Sequence, residues 1–96
     1  LADLHAQVVV NRAYGEQCID QYDRNELTAT NASIAKLTTT ELQGVVADKC
    51  LQLFGGYGYM QEYPISRDYV DARIQRIYGG TSEIMKEIIS REIIGR

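Results

Sequence analysis

One proline and two glycine pairs punctuate this 96-residue chain, and between them the apolar residues recur at helical spacing. In the first segment Leu1, Leu4, Val8, Cys18 and Tyr22 fall close to one face of a helix, a stripe interrupted by Asn11 and Gly15. Small or polar residues inside such a stripe mark either close helix packing or a weak spot in the core. After the polar break Asp23-Arg24-Asn25-Glu26, Thr28 or Thr30 can cap a second helix running from about Ala29 to Leu53. Its apolar face is Ile34, Leu42, Val45, Val46, Cys50, Leu53 and Phe54, and tertiary packing has to override the β-branched run Thr38-Thr39-Thr40. Gly55-Gly56-Tyr57-Gly58 stops that helix, because glycine adopts the left-handed backbone that closes the last carbonyls. Pro64 suits the first position of a short helix to about Ala72. Past Gly79-Gly80, Thr81 caps a last helix with Ile84, Met85, Ile88, Ile89 and Ile93 on its apolar face. The expected fold is all-α: three substantial helices, one short one and two glycine-rich joints.

Composition narrows the function classes. Ten Lys and Arg against thirteen Asp and Glu leave a net charge of −3, the wrong sign for nonspecific nucleic-acid binding. No run approaches the ~18 apolar residues of a membrane span, so no membrane insertion is expected. Cys18 and Cys50 read as small core hydrophobes in a reducing compartment, and with His5 they are too few for a four-ligand zinc site. Asn31-Ala32-Ser33 matches a glycosylation pattern by chance. The chain starts at Leu1 inside a helical pattern and without a leader-like stretch, which reads as a portion of a longer polypeptide.

The joints are where chemistry has room. Gln52-Leu53-Phe54-Gly55-Gly56 sets an amide on a last helical turn before two residues without side chains, and bare backbone admits close approach of a phosphate. The spacing is not a dinucleotide fingerprint and no strand precedes it, so a plain helix stop is the competing reading. Gly79-Gly80-Thr81-Ser82-Glu83 opens a helix, whose free N–H groups and roughly half a positive charge attract an anion or a polarised carbonyl. A capped helix after a flexible turn is the alternative there. Tyr57, Tyr59, Tyr63, Tyr69 and Tyr78 lie between the joints, to line a pocket or interface or to seal a small core. His5 has no partners for a catalytic triad and reads as an exposed polar residue.

Taken together, Gln52 to Gly58, Glu62-Tyr63-Pro64, Asp71-Ala72-Arg73 and Ile77-Tyr78-Gly79-Gly80-Thr81 resemble the C-terminal end of acyl-CoA dehydrogenases. The order and spacing of four motifs carry the resemblance, and the upstream helices extend it over residues 1–96 as part of that family's C-terminal four-helix bundle. The resemblance implies FAD as cofactor, an acyl-CoA substrate, α,β-desaturation, a homo-oligomer and electron-transferring flavoprotein as acceptor. It implies a cytoplasmic setting, or the mitochondrial matrix in a eukaryote. Gln52, Leu53, Phe54, Gly55 and Gly56 match residues that contact the FAD of a neighbouring subunit, and Thr81, Ser82 and Glu83 match residues that also approach FAD. Gly79 and Gly80 match the substrate-binding corner, where a backbone N–H polarises the thioester carbonyl.

Most members carry Glu, the catalytic base, in the place of Gly79. Glycine keeps the N–H and offers no acid, as in the long-chain and isovaleryl branches, and Tyr-Gly-Gly-Thr followed by Glu-Ile-Met resembles the long-chain one. The implied base then belongs to a helix upstream of Leu1, no residue of this chain is assigned as catalytic, and the chain alone is expected to be inactive. A non-catalytic, self-associating helical module is the rival expectation. The joint reading of the two corners is that both embrace a flavin nucleotide; separation to opposite ends of the molecule overturns it.

Overall fold

A computed structural model describes residues 1–95, and among them every regular element is helical. Helix α1 spans Ala2–Asp23, α2 Ala29–Phe54, α3 Pro64–Ile74 and α4 Ser82–Ile94, and a 3₁₀ turn covers Gly55–Tyr59. The boundaries follow local chemistry. Asn31 N–H donates to Thr28 Oγ1 at 3.0 Å, and Ile84 N–H donates to Thr81 Oγ1 at 3.2 Å, so both threonines satisfy an otherwise free donor of a first turn. Pro64 takes the first turn of α3, where its missing N–H costs nothing. Gly55 leaves α2 with φ +61° while its N–H returns to the Gln52 carbonyl. The first glycine joint thus continues as a 3₁₀ turn instead of an open loop.

α2 is the hub: α1, α3 and α4 each pack on it and not on one another, and α3 also touches the 3₁₀ turn. α1 runs antiparallel to α2. Near one end the Tyr14 hydroxyl donates to the Asn31 carbonyl at 3.3 Å; near the other, Leu1 and Leu4 face Val45, Lys49 and Leu53. Midway, Asn11 Nδ2 donates to Thr38 Oγ1 at 2.9 Å while Thr39 Oγ1 donates to Asn11 Oδ1 at 3.1 Å. The polar interruption of the α1 stripe is therefore a clamp between helices, and the threonine run supplies its other half.

The buried residues of α2 are Ser33, Thr40 and Ala47, seven apart and all small, where the sequence pattern pointed to larger apolar side chains. A heptad step returns to nearly the same helix face, and small side chains there let neighbouring backbones come close. Ala72, Ser82, Leu4, Cys18, Met85 and Gly58 complete the buried set among the described residues. Several expected core residues stand outside: Leu1, Val8, Tyr22, Val45, Leu53, Phe54, Ile84 and Ile93 are all exposed. α1 and α4 each have α2 as their one neighbouring helix and bury one narrow strip, so the rest of their apolar faces stays uncovered. Among the described residues no helix is long and apolar enough to cross a membrane.

Candidate functional site

One glycine corner forms at the C-terminal end of the hub helix, and the other lies against its flank beside Lys36 and Glu41. At the C-terminal end of α2, Gln52, Leu53, Phe54, Gly55 and Gly56 are all exposed. A β-carbon added at Gly55 or Gly56 would meet no atom within 4 Å, so the backbone here is open to a ligand. Gly58 differs: its β-carbon would stand 2.6 Å from the Leu51 carbonyl oxygen, which reserves the position for glycine. The Tyr63 ring lies 5.5 Å from Tyr57 and 6.3 Å from Phe54, both tilted, and anchors the turn. Tyr57, Tyr59, Tyr69 and Tyr78 are exposed, so the tyrosines do not seal a core within this chain.

The second corner is closed. Gly79 has φ +66° and Gly80 φ +108°, and a β-carbon on Gly80 would stand 2.6 Å from Met85 Cε. Ser82 N–H donates to the Arg76 carbonyl at 3.1 Å and shuts the loop between α3 and α4. Ser82 Oγ donates to Glu41 Oε1 at 2.6 Å, and Arg76 Nη1 pairs with Glu41 Oε2 at 3.3 Å. The Ser82 hydroxyl bond, with Arg76 adding to it, holds the Glu41 carboxyl below its ordinary range against an opposing effect of burial. The Lys36 ammonium donates to the Gly80 carbonyl. Among the described residues nothing accepts the N–H of Gly79, which is exposed. Glu83 sits in the first turn of α4, exposed, where its charge suits the helix dipole.

Lys36 and Glu41 stand beside the second corner, and Gly55 lies at the far end of the same helix. At 1.5 Å per residue the two corners are about 20–28 Å apart. Within one chain the two corners are thus set apart along α2 and do not adjoin. The sequence motifs also did not reveal Lys36, Glu41 and Arg76 as parts of the second corner. Lys36 and Glu41 signal only as charges on α2, Arg76 only as a charge in the turn after α3, and the partners lie far apart along the chain.

The remaining candidates are unremarkable. His5 is exposed, and both cysteines are free, Cys18 buried and Cys50 half-buried. Among the described residues no group of His, Cys, Asp and Glu is placed to hold a metal ion. Between α1 and α2 an apolar groove of about 530 Å³ is lined by Ala6, Val10, Tyr14, Ile34 and Leu42, among others.

Comparison with known proteins then supplies the relationship. The family described as acyl-CoA dehydrogenase, C-terminal domain, matches residues 1–94. A long-chain specific acyl-CoA dehydrogenase, mitochondrial, of Rattus norvegicus is 51% identical over 94 residues, covering 98% of this chain and 22% of its own length. The enzyme of the same name from Sus scrofa is 53% identical with the same coverage. Among solved structures, an acyl-CoA dehydrogenase from Geobacillus kaustophilus superposes with a TM-score of 0.93 at 38% identity, over 96% of this chain and 24% of that one. The chain thus spans about a quarter of the length of the proteins it matches.

Proposed function

The chain belongs to the acyl-CoA dehydrogenase family, and from that premise we propose that it serves as the C-terminal helical portion of an FAD-dependent enzyme that introduces a double bond between Cα and Cβ of acyl-CoA thioesters. The likeness to the long-chain-specific enzymes across both corners carries this reading. Bound FAD supplies the acceptor for the β-hydride. The residues present fit such a group: at the first corner the exposed amide on Gln52 can donate to it, and bare backbone at Gly55 and Gly56 leaves room for its close approach. Leu53 and Phe54, also exposed, offer apolar contact beside it.

At the second corner the exposed Gly79 N–H donates to the thioester carbonyl oxygen, on which negative charge grows as the α-proton leaves. Gly80 keeps that backbone bare for the substrate. Thr81, Ser82 and Glu83 approach the flavin in different ways. Thr81 Oγ1 accepts from Ile84 N–H and keeps its own proton to donate, whereas Ser82 is buried with its proton committed to Glu41. Glu83 is exposed and its side chain has no partner among the described residues. Because about 20–28 Å separates the corners, each serves a different nucleotide: the second that of its own subunit, the first that of a neighbouring copy in a homo-oligomer.

Gly79 has no acid to offer, and the likeness to the long-chain branch assigns the base that takes the α-proton to a helix upstream of Leu1, so that the chain alone is inactive. Electron-transferring flavoprotein is the acceptor we assign, with the cytoplasm or mitochondrial matrix as the setting. The test is a chimera in which this chain replaces the matching stretch of the Rattus norvegicus enzyme. The expected product is yellow and reduces an artificial electron acceptor when given acyl-CoA, while the 96-residue chain does neither. A colourless, inactive chimera that is folded by circular dichroism overturns the reading. So does a yellow, active isolated chain.

The uncovered apolar faces favour one further property: as an isolated species the chain self-associates. Val9, Val10, Ile93 and Ile94 are 53–80% exposed, more apolar surface than a lone domain usually shows to water. Sedimentation over a range of concentrations decides this, and a monomer throughout counts against it.

A further inference from the structure

We propose that Lys36 and Glu41 of α2 are positioning residues for the Gly79–Gly80 corner, holding the backbone that presents the Gly79 N–H to the thioester oxygen. The inference rests on the reading of that corner given above and assigns work to two side chains that no motif contains.

A loop with two successive positive-φ glycines has wide conformational freedom, so it holds one shape only if its surroundings determine it. The surroundings here come from one helix. Glu41 uses both carboxylate oxygens, one on the Arg76 guanidinium before the loop and one on the Ser82 hydroxyl after it. Between those two grips the Ser82 N–H to Arg76 carbonyl bond closes the loop base. Lys36 then reaches the tip: its ammonium binds the Gly80 carbonyl, and its Cε lies 4.0 Å from where a Gly79 β-carbon would stand. A cation on that carbonyl fixes the Gly80–Thr81 peptide plane, and the stem limits where Gly79 can move.

The hold is also directional. Arg76 Nε is buried without a partner, so only Glu41 fixes the guanidinium through a hydrogen bond among the described residues. Gly44 lets Arg76 lie against α2, with guanidinium atoms 3.5 Å from where a β-carbon would be. Losing Glu41 therefore frees both ends of the loop together, whereas losing Lys36 frees the tip and leaves the base closed. The functional consequence is a loss in the step where charge develops on the thioester oxygen, with little loss in binding the acyl-CoA, because the donor is misplaced and not removed.

Two measurements separate this inference from the reading it rests on. In the 96-residue chain, amide hydrogen exchange is followed at Ser82 and across α1 in Lys36→Met, Lys36→Arg, Glu41→Ala and Glu41→Gln, with circular dichroism to verify helix content. Glu41→Ala is expected to speed exchange at Ser82 by about tenfold or more with α1 unchanged. Lys36→Met is expected to leave Ser82 protected and to shift the Gly79 and Gly80 amide resonances, with Lys36→Arg restoring them. In the chimera, Lys36→Met is expected to lower kcat about tenfold at unchanged KM, and Lys36→Arg to recover most of it. An inactive wild-type chimera sinks the reading of the corner; the exchange and resonance data still judge the positioning in that case. An active chimera whose Lys36→Met variant keeps its kcat, or loses only KM, overturns the positioning role. Exchange at Ser82 that stays slow in both Glu41 variants overturns it as well, as does loss of protection spread equally over α1.

Discussion

The corner after α2 and the corner before α4 both contain two adjacent glycines, and the glycines have different jobs. At Gly55 and Gly56 the missing β-carbons leave empty space outside the molecule. At Gly80 the missing β-carbon makes room for Met85, and the neighbouring carbonyl is held by Lys36. The first corner is bare for something else to approach. The second is packed from within, with the Gly79 N–H left unpaired among the described residues. Substitutions should therefore separate along the same line, with stability lost at the second corner and ligand affinity lost at the first.

Gly80→Ala is the largest expected effect. A side chain at φ +108° is strained by about 1–3 kcal/mol, and Met85 Cε has to move as well. The strain lowers Tm by roughly 4–24 °C in a domain of this size. Thermal melts by circular dichroism measure it, and a shift below roughly 3 °C would show that the corner is loosely held.

Thr81→Ala comes next. It removes the acceptor for Ile84 N–H and costs about 1 kcal/mol, read as roughly 4–8 °C in the same melts. The matching cap at Thr28 lies near neither corner, so Thr28→Ala is the control: a similar loss of stability there, with no change at the Gly79 amide.

Glu41→Gln has a pH signature. The Glu41 carboxyl is held below its ordinary value by Ser82, then Arg76, with Lys86 of α4 adding a weaker pull. A depressed carboxyl stabilises the fold above its unfolded value, near 4.5, and loses that contribution as pH falls through the lower folded value. The side chain is 40% exposed, so the neutral-pH difference between wild type and variant is about 1 kcal/mol or less after solvent screening. The two stability curves are expected to lie apart at neutral pH and to meet in acid. Parallel curves down to about pH 3 would mean that the ionised form contributes nothing to the second corner.

The elements were legible because single residues announce them. Thr28, Thr81, Pro64 and Gly55 act on the backbone within a few positions, so their effect can be read where they stand. The core was less legible: α2 is packed on several sides, and close approach there favours Ser33, Thr40 and Ala47 over the large apolar residues that periodicity ranks first. Asn11 looked like a flaw in a stripe until Thr38 and Thr39 supplied its partners across the helix pair. The corners were visible as motifs, but their separation was not, because a motif carries no distance along an intervening helix. Glu41 and Ser82 meet from 41 positions apart, a pairing that neither residue's local pattern encodes.

Gly56→Ala is the smallest expected change in stability and the sharpest test of the comparison. Gly56 lies in the 3₁₀ turn, lacks the positive φ of Gly55, and has no atom within 4 Å of its missing β-carbon. Alanine there should change stability by less than about 0.5 kcal/mol, the range of surface substitutions away from special features. In the chimera the same methyl group projects into the space assigned to the diphosphate of a neighbouring subunit's FAD. Flavin content, read from visible absorbance against protein, should fall several-fold while the melting curve of the isolated chain stays in place. If flavin content also stays in place, the open backbone at the first corner is a helix stop and nothing more, and the two glycine pairs differ only in how tightly they are packed.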